Sequence, residues 1–199
     1  MDTENNPYRS PRAHLEVPQD SGPSYYVVAI PKFSVLFFAT LGLYGFFWFY
    51  KNWKAYRSYT GEKIWPVPRA FFSIFFAHSL FSKIQAKLDQ RDLTYEWRPQ
   101  SLATWYVILS IVSNVLDRMA MKSLWSPNSD ILSILILPVI YYTLLVPQKV
   151  VNFAEGYPAG VSNKGLGPAN YFWIVLGAAI WLLTIFSLMV ISGLVKIEG

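Results

Sequence analysis

Residues 41–54 read LGLYGFFWFYKNWK. Gly42 and Gly45 stand three apart, rings crowd the next five positions, and Lys51 and Lys54 flank Asn52 and Trp53. The stretch closes an uncharged window, Phe33–Tyr50, of 18 residues between Lys32 and Lys51. Rings at Phe46, Phe47, Trp48, Phe49, Tyr50, Trp53 and Tyr56 surround a helix rather than line one face of it. A cation cage needs convergent rings, and a nucleic-acid stacking platform needs rings spaced along a sheet. All-round rings at the end of an apolar window, followed by Lys51, Lys54 and Arg57, match an interfacial aromatic belt with snorkelling cations. The two glycines allow close helix approach or a local break, and their spacing is one residue short of GxxxG.

Working outward, 53% of the 199 residues are hydrophobic, 18% aromatic and only 15% charged, against about 25% charged in soluble domains. A soluble domain of this size cannot hide that much apolar surface, so the composition points to an integral membrane protein. There is no cysteine, which excludes disulfides, thiolate catalysis and Cys-ligated metal. The net charge of +5 fits Lys and Arg retained beside anionic headgroups rather than nucleic-acid binding. Residues 1–24 form a polar, proline-rich tail without an apolar core, read as a disordered segment and not a cleaved signal peptide. Residues 25–199 read as one membrane domain.

Three further windows lack charge: Pro99–Leu116 and Ile131–Gln148, of 18 residues each, and Ala169–Val195, of 27. A span needs about 20 apolar residues. The expected fold is an all-α membrane bundle of about four transmembrane helices, at 33–50, 99–116, 131–148 and 170–195. Ala70–Leu88 begins intensely apolar and then gains Lys83, Gln85 and Lys87 beside Phe81, Ile84 and Leu88; the spacing predicts an interfacial amphipathic helix. Pro66 and Pro68 end any helix before it. Pro138 falls inside the third window, where it predicts a kink.

Charge orients the bundle. The loop 51–98 holds nine Lys and Arg: 51, 54, 57, 63, 69, 83, 87, 91 and 98. With four spans, that loop shares a side with Lys149 and Lys164, eleven against six, and both termini lie opposite. If Phe33–Tyr50 is instead a re-entrant hairpin bent near Gly42 and Gly45, the count becomes fourteen against three. Both arrangements make the basic loop cytoplasmic.

The stretch Ala39–Tyr56, ATLGLYGFFWFYKNWKAY, resembles the TLGxYxxYWFYKNW signature of a family of small bacterial membrane proteins of unknown function. NPYRSPRA at 6–13 is similar to an NPYxxPxA element preceding the first membrane segment in bacterial inner-membrane proteins. The resemblance implies the bacterial inner membrane and carries over no activity, substrate or catalytic residue.

No phosphate-binding glycine loop, HExxH or nucleophile elbow occurs, so no metal or cofactor is expected. His78 among phenylalanines reads as a hydrogen-bonded structural histidine. Two sets of site residues stand out. Lys51, Lys54, Arg57, Lys63, Arg69, Lys83 and Lys87 are candidate contacts for anionic lipid headgroups. Asn114, Asp117 and Arg118 form a candidate intramembrane polar site, since polar groups at membrane depth are costly; Asp117 and Arg118 equally suit a water interface. Asn152 and Glu155 repeat the spacing of Asn114 and Asp117 and are candidates to face them. The leading functional expectation is a non-enzymatic multi-pass inner-membrane protein that contacts lipid or a membrane partner. The alternative is a small transporter or channel subunit. A lipid-acting enzyme comes third, with only His78, Asp117 and Glu155 to serve as acid and base.

Overall fold

A computed structural model describes residues 22–195; of the tail expected over 1–24, residues 1–21 lie outside them, and Ser24 at its end is buried and bonded to Glu155 rather than part of a loose segment. After an extended segment at 22–29 come α1 (Ile30–Ala39), α2 (Tyr44–Thr60), α3 (Pro66–Phe71), α4 (Ser73–Gln90), α5 (Pro99–Met121), α6 (Asn128–Leu135), α7 (Leu137–Ala154) and α8 (Pro168–Ile191). The described residues contain no strand. Proline opens α1, α3, α5, α7 and α8 within their first two positions; except at α7, which follows directly on α6, its missing N–H has no intrahelical partner to lose.

The window Phe33–Tyr50 is not one helix. α1 stops at Ala39, and the chain reverses through Leu41 (φ 49°) and Gly42 (φ 85°). The Gly42 amide donates to the Phe37 carbonyl at 2.9 Å and the Leu41 amide to that of Phe38 at 3.2 Å, the two bonds of a Schellman ending. Thr40, buried, then links the two helices. Its hydroxyl donates to the Leu36 carbonyl at 2.8 Å and accepts from the Tyr44 amide at 2.9 Å, so one side chain closes α1 and opens α2. The result is a helical hairpin. Phe33 lies edge-on to Tyr44 and Trp48 of the returning helix, and Tyr26 meets Phe47.

Fold-back also corrects the belt reading of the rings. Trp48, Phe49 and Trp53 are fully buried, whereas Phe46 stays 47% exposed. An isolated span would show its rings to lipid all round; a hairpin arm packed against α1, α3, α4 and α7 turns three of the seven into core and half-buries Phe47, Tyr50 and Tyr56.

The helix expected over 70–88 is broken at Phe72 into α3 and α4. α4 is not a surface helix along its length. Ala77, Leu80, Phe81, Ile84 and Leu88 are buried in the bundle against α5 and α7, following the expected helical spacing. At its start Phe72 and Phe75 are exposed, next to Phe71 of α3.

α4 and α5 run antiparallel: Ser73 bonds Tyr106, His78 bonds Thr104 at 3.0 Å, and Gln85 bonds Trp97. The His78 bond fits its structural reading. α6 and α7 continue in one direction, because Ile136 between them keeps helical angles (φ −73°, ψ −22°). Pro138 thus produces a joint, and among the described residues Asn128–Ala154 and Pro168–Ile191 are the two helices both long and apolar enough to cross a membrane. These contain the expected segment 131–148 and nearly all of 170–195. The expected segment 99–116 lies within α5. α8 is exposed along most of its length and packs on α1. There Gly177 rests against the Ala39 carbonyl, so closely that an added Cβ would lie 1.8 Å from that oxygen. One turn on, the Trp181 indole donates to the Phe38 carbonyl at 2.8 Å.

Candidate functional site around the hairpin

The base of the hairpin is an amide clamp on extended backbone. Residues 24–29 have no neighbouring strand, so side chains satisfy their backbone groups. Asn52 accepts from the Tyr26 amide at 3.2 Å, and Gln148 donates to the Tyr26 carbonyl at 3.1 Å. Asn152 holds Val28 from both sides, accepting from its amide at 3.3 Å and donating to its carbonyl at 2.9 Å. Asn163 donates to the Val27 carbonyl at 2.9 Å. Gln148 also accepts from the Trp48 indole and donates to Asn152 at 2.7 Å. Asn52, Gln148 and Asn152 are wholly buried, and every amide is used, as burial requires. Below the clamp, Ser24 donates to the Glu155 carboxylate, and the Arg91 guanidinium lies 3.9 Å from it.

Asn152 and Glu155 therefore do not face Asn114. They sit at the base, while Asn114 lines a cavity at the other end of α7, with Leu137, Ile140 and Leu144. That cavity, of about 780 Å³, lies between the hairpin tip, the first turn of α4, α5 and α7. It does bring Asn114, Asp117 and Arg118 together. Ser110, Ser113, Asn114 and Asp117 all line it, at spacings that keep them on one face of α5. Asn114 donates to the Ser110 carbonyl at 2.7 Å. At one margin the hydroxyls of Ser73 and Tyr106 meet at 2.8 Å. The stripe continues the reading of Asn114 and Asp117 back to two serines that sequence reasoning passed over.

The seven basic candidates separate into two groups. Lys51 lies 5.3 Å from the Tyr26 ring centre, Arg69 4.4 Å from that of Trp53, Lys83 4.4 Å from that of Tyr56, and Lys87 4.1 Å from that of Tyr59. These four act as cations over rings, a contact that strengthens as water is excluded. Lys87 is buried, under the half-buried ring of Tyr59. Lys83 additionally donates to the Tyr56 hydroxyl at 2.6 Å and pairs with Glu62 at 3.3 Å. The Tyr56 hydroxyl bond, with the lysine behind it, holds the Glu62 carboxyl below its ordinary range. Burial works against the Lys83 charge, but the bonds to Tyr56 and Glu62 outweigh it and raise the ammonium above its ordinary value. Burial likewise raises the Tyr25 phenol, followed by the influence of Tyr56. Lys54, Arg57 and Lys63 remain exposed, and among the described residues none of them forms a salt bridge or a ring contact.

The chain matches no protein-family model, no curated protein and no solved structure.

Proposed function

We propose that this chain is a multi-pass membrane protein with a re-entrant hairpin, non-enzymatic, whose basic side contacts anionic lipid. One observation carries the reading: the end of α1 packs at Gly177 and Trp181, near the middle of α8. With α8 spanning, a rise of 1.5 Å per residue puts the hairpin tip near half-depth. The self-capped turn suits that depth, because backbone groups there have no water to bond. In this arrangement α6–α7 and α8 cross, α5 crosses with them, long enough at 23 residues though less apolar, and 22–29, the loop 51–98 and the turn before α8 share a side. That is the fourteen-against-three distribution of Lys and Arg, which under the positive-inside rule makes the hairpin base cytoplasmic. Location in a bacterial inner membrane and kinship with the family of small bacterial membrane proteins rest on the sequence resemblance.

The chain has no native cysteine, so single cysteines report sidedness cleanly. In intact spheroplasts, cysteines at Gly22, Ser58 and Gln90 are expected to resist an impermeant thiol reagent and to react after lysis, while one at Asn128 labels from outside. Labelling of Gly22 from outside with 58 and 90 still protected would restore four spans. Release of the protein by an alkaline carbonate wash would end the membrane reading altogether.

A second reading, a small transporter or channel subunit, draws on the polar stripe of α5 in its cavity. It requires water to reach that stripe. Cysteines at Ser113 and Asn114 labelling as fast as one at Asn128 would favour it.

A further inference from the structure

We propose a binding site for a single anionic glycerophospholipid on α2, with one acyl chain in the groove between α2, α3 and α8 and the phosphate at Lys54 and Arg57. The inference rests on the lipid-contact reading above and names its site.

The groove has a volume of about 480 Å³ and is walled almost wholly by apolar atoms, among them Leu43 at the entry to α2, Phe46 and Tyr50 of α2, Val67 and Phe71 of α3, and Trp173 of α8. Leu43, Phe46 and Tyr50 advance by three and four residues, so they form one stripe along α2. The same steps lead from Tyr50 to Lys54 and then to Arg57. The stripe is therefore apolar inside the groove and cationic directly below it, with the Tyr50 phenol at the boundary. At 1.5 Å per residue the groove portion runs about 10 Å and Arg57 lies about 10 Å further on. This is the layout of an acyl chain followed by its headgroup.

Charge complementarity selects the occupant. Of the three basic residues on α2, Lys51 is engaged by Tyr26 and Phe47. Lys54 and Arg57 are exposed and keep their donors free among the described residues. A fork-shaped guanidinium and an ammonium one turn apart suit a phosphate that carries a net negative charge. A zwitterionic headgroup would set its own ammonium against them. A detergent-like apolar ligand would leave them unused.

Trp173 gives the groove its own reporter. The full chain is reconstituted in phosphatidylcholine vesicles doped with a minor fraction of phosphatidylglycerol brominated in the acyl chain, or with the same fraction of brominated phosphatidylcholine. The Trp173 signal is taken as the difference between wild type and Trp173→Phe. Two cations at about 1 kcal/mol each, converted at 1.4 kcal/mol per tenfold, give roughly thirty-fold preference for the anionic lipid at this site. Trp173 is accordingly expected to be quenched at a much lower fraction of brominated phosphatidylglycerol than of brominated phosphatidylcholine. Lys54→Gln with Arg57→Gln, both at exposed positions that leave the core intact, is expected to abolish the difference. Equal quenching by the two lipids, or a preference that survives the double substitution, overturns the proposal while leaving the membrane reading in place. No quenching of any tryptophan by either lipid would overturn both.

Discussion

Two apolar windows of equal length, 33–50 and 131–148, each carry a helix breaker near the middle, and they end in opposite geometries. At Gly42 the chain turns back on itself; at Pro138 it carries on. The difference lies in which dihedral each breaker opens. The turn takes positive φ twice, at Leu41 in the left-handed cap of α1 and at Gly42 just after it, where glycine admits it without strain, so the next helix starts in a new direction. Proline fixes φ near −65° and only withholds a donor, here the one that the Ile134 carbonyl would use, so the axis bends without reversing. Reversal also needs its freed backbone groups bonded. Thr40 supplies that at the hairpin, and no comparable side chain stands at Ile136.

The sharpest way to break this contrast is Gly42→Val. The substitution sets a β-branched residue at φ 85° and brings its Cβ to 2.9 Å from the Leu137 side chain. Left-handed strain of about 1–2 kcal/mol and overpacking of about 1–3 kcal/mol combine. A loss of about 3 kcal/mol is expected, read as a fall in folded yield and melting temperature in mild detergent. An unchanged melting temperature would mean that the turn does not depend on glycine.

Next is Gly177→Ala, which tests the contact between the turned-back tip and α8. A Cβ there collides with the backbone oxygen of Ala39, not with a movable side chain. Overpacking of this kind costs about 2 kcal/mol. α8 is expected to move off α1, with loss of the Trp181 bond to Phe38 and a red-shifted Trp181 emission. Emission and melting temperature equal to wild type would show that α8 does not rest on the hairpin.

The features that were legible in sequence and those that were not divide along physical lines. α8 is apolar on every side, so its existence needs no partner to be inferred. The break near Gly42 was open as one of two arrangements, because glycine permits reversal without requiring it. What selects reversal is long-range: Phe33 and Phe37 against Tyr44 and Tyr141, and Leu144 against Gly45. The ring crowd misled for the same reason, since burial of Trp48 and Trp53 depends on helices far away in the chain. Asn52 and Gln148 are separated by nearly half the chain, and nothing local says that they grip one backbone segment. Both stand at the charged ends of apolar windows, beside Lys51 and Lys149, where an amide bonds water as readily as backbone. Asn114 and Asp117 were legible as a pair because both lie on one helix. The capture of Lys83 and Lys87 by Tyr56 and Tyr59 was not, because it joins α4 to α2.

Thr40→Val separates the cap from the backbone freedom at the turn. Valine keeps the shape and removes the hydroxyl that the Tyr44 amide uses. A buried amide left without a partner costs about 1–3 kcal/mol. A loss of about 1.5 kcal/mol is expected, smaller than that for Gly42→Val, and Thr40→Ser should recover most of it. Failure of serine to rescue would assign the effect to packing of the methyl rather than to the cap.

The smallest effect is expected at Pro138, and it is the one that most sharpens the comparison. Pro138→Ala restores an N–H to which the Ile134 carbonyl can bond, and it removes the ring that crowds that carbonyl. In a helix that must reverse, such a change would be damaging. Here α6 and α7 already point the same way, Ile136 is already helical, and Pro138 is exposed, so no packing is lost. The two helices should merge into one continuous helix with stability unchanged or raised by up to about 0.5 kcal/mol, the range of surface substitutions away from special features. Melting temperature together with the labelling of a cysteine at Asn128 reads the outcome: both should match the parent. A marked fall in stability would mean that the bend itself fits α6 against α5, and that proline at 138 shapes the bundle as actively as glycine does at 42.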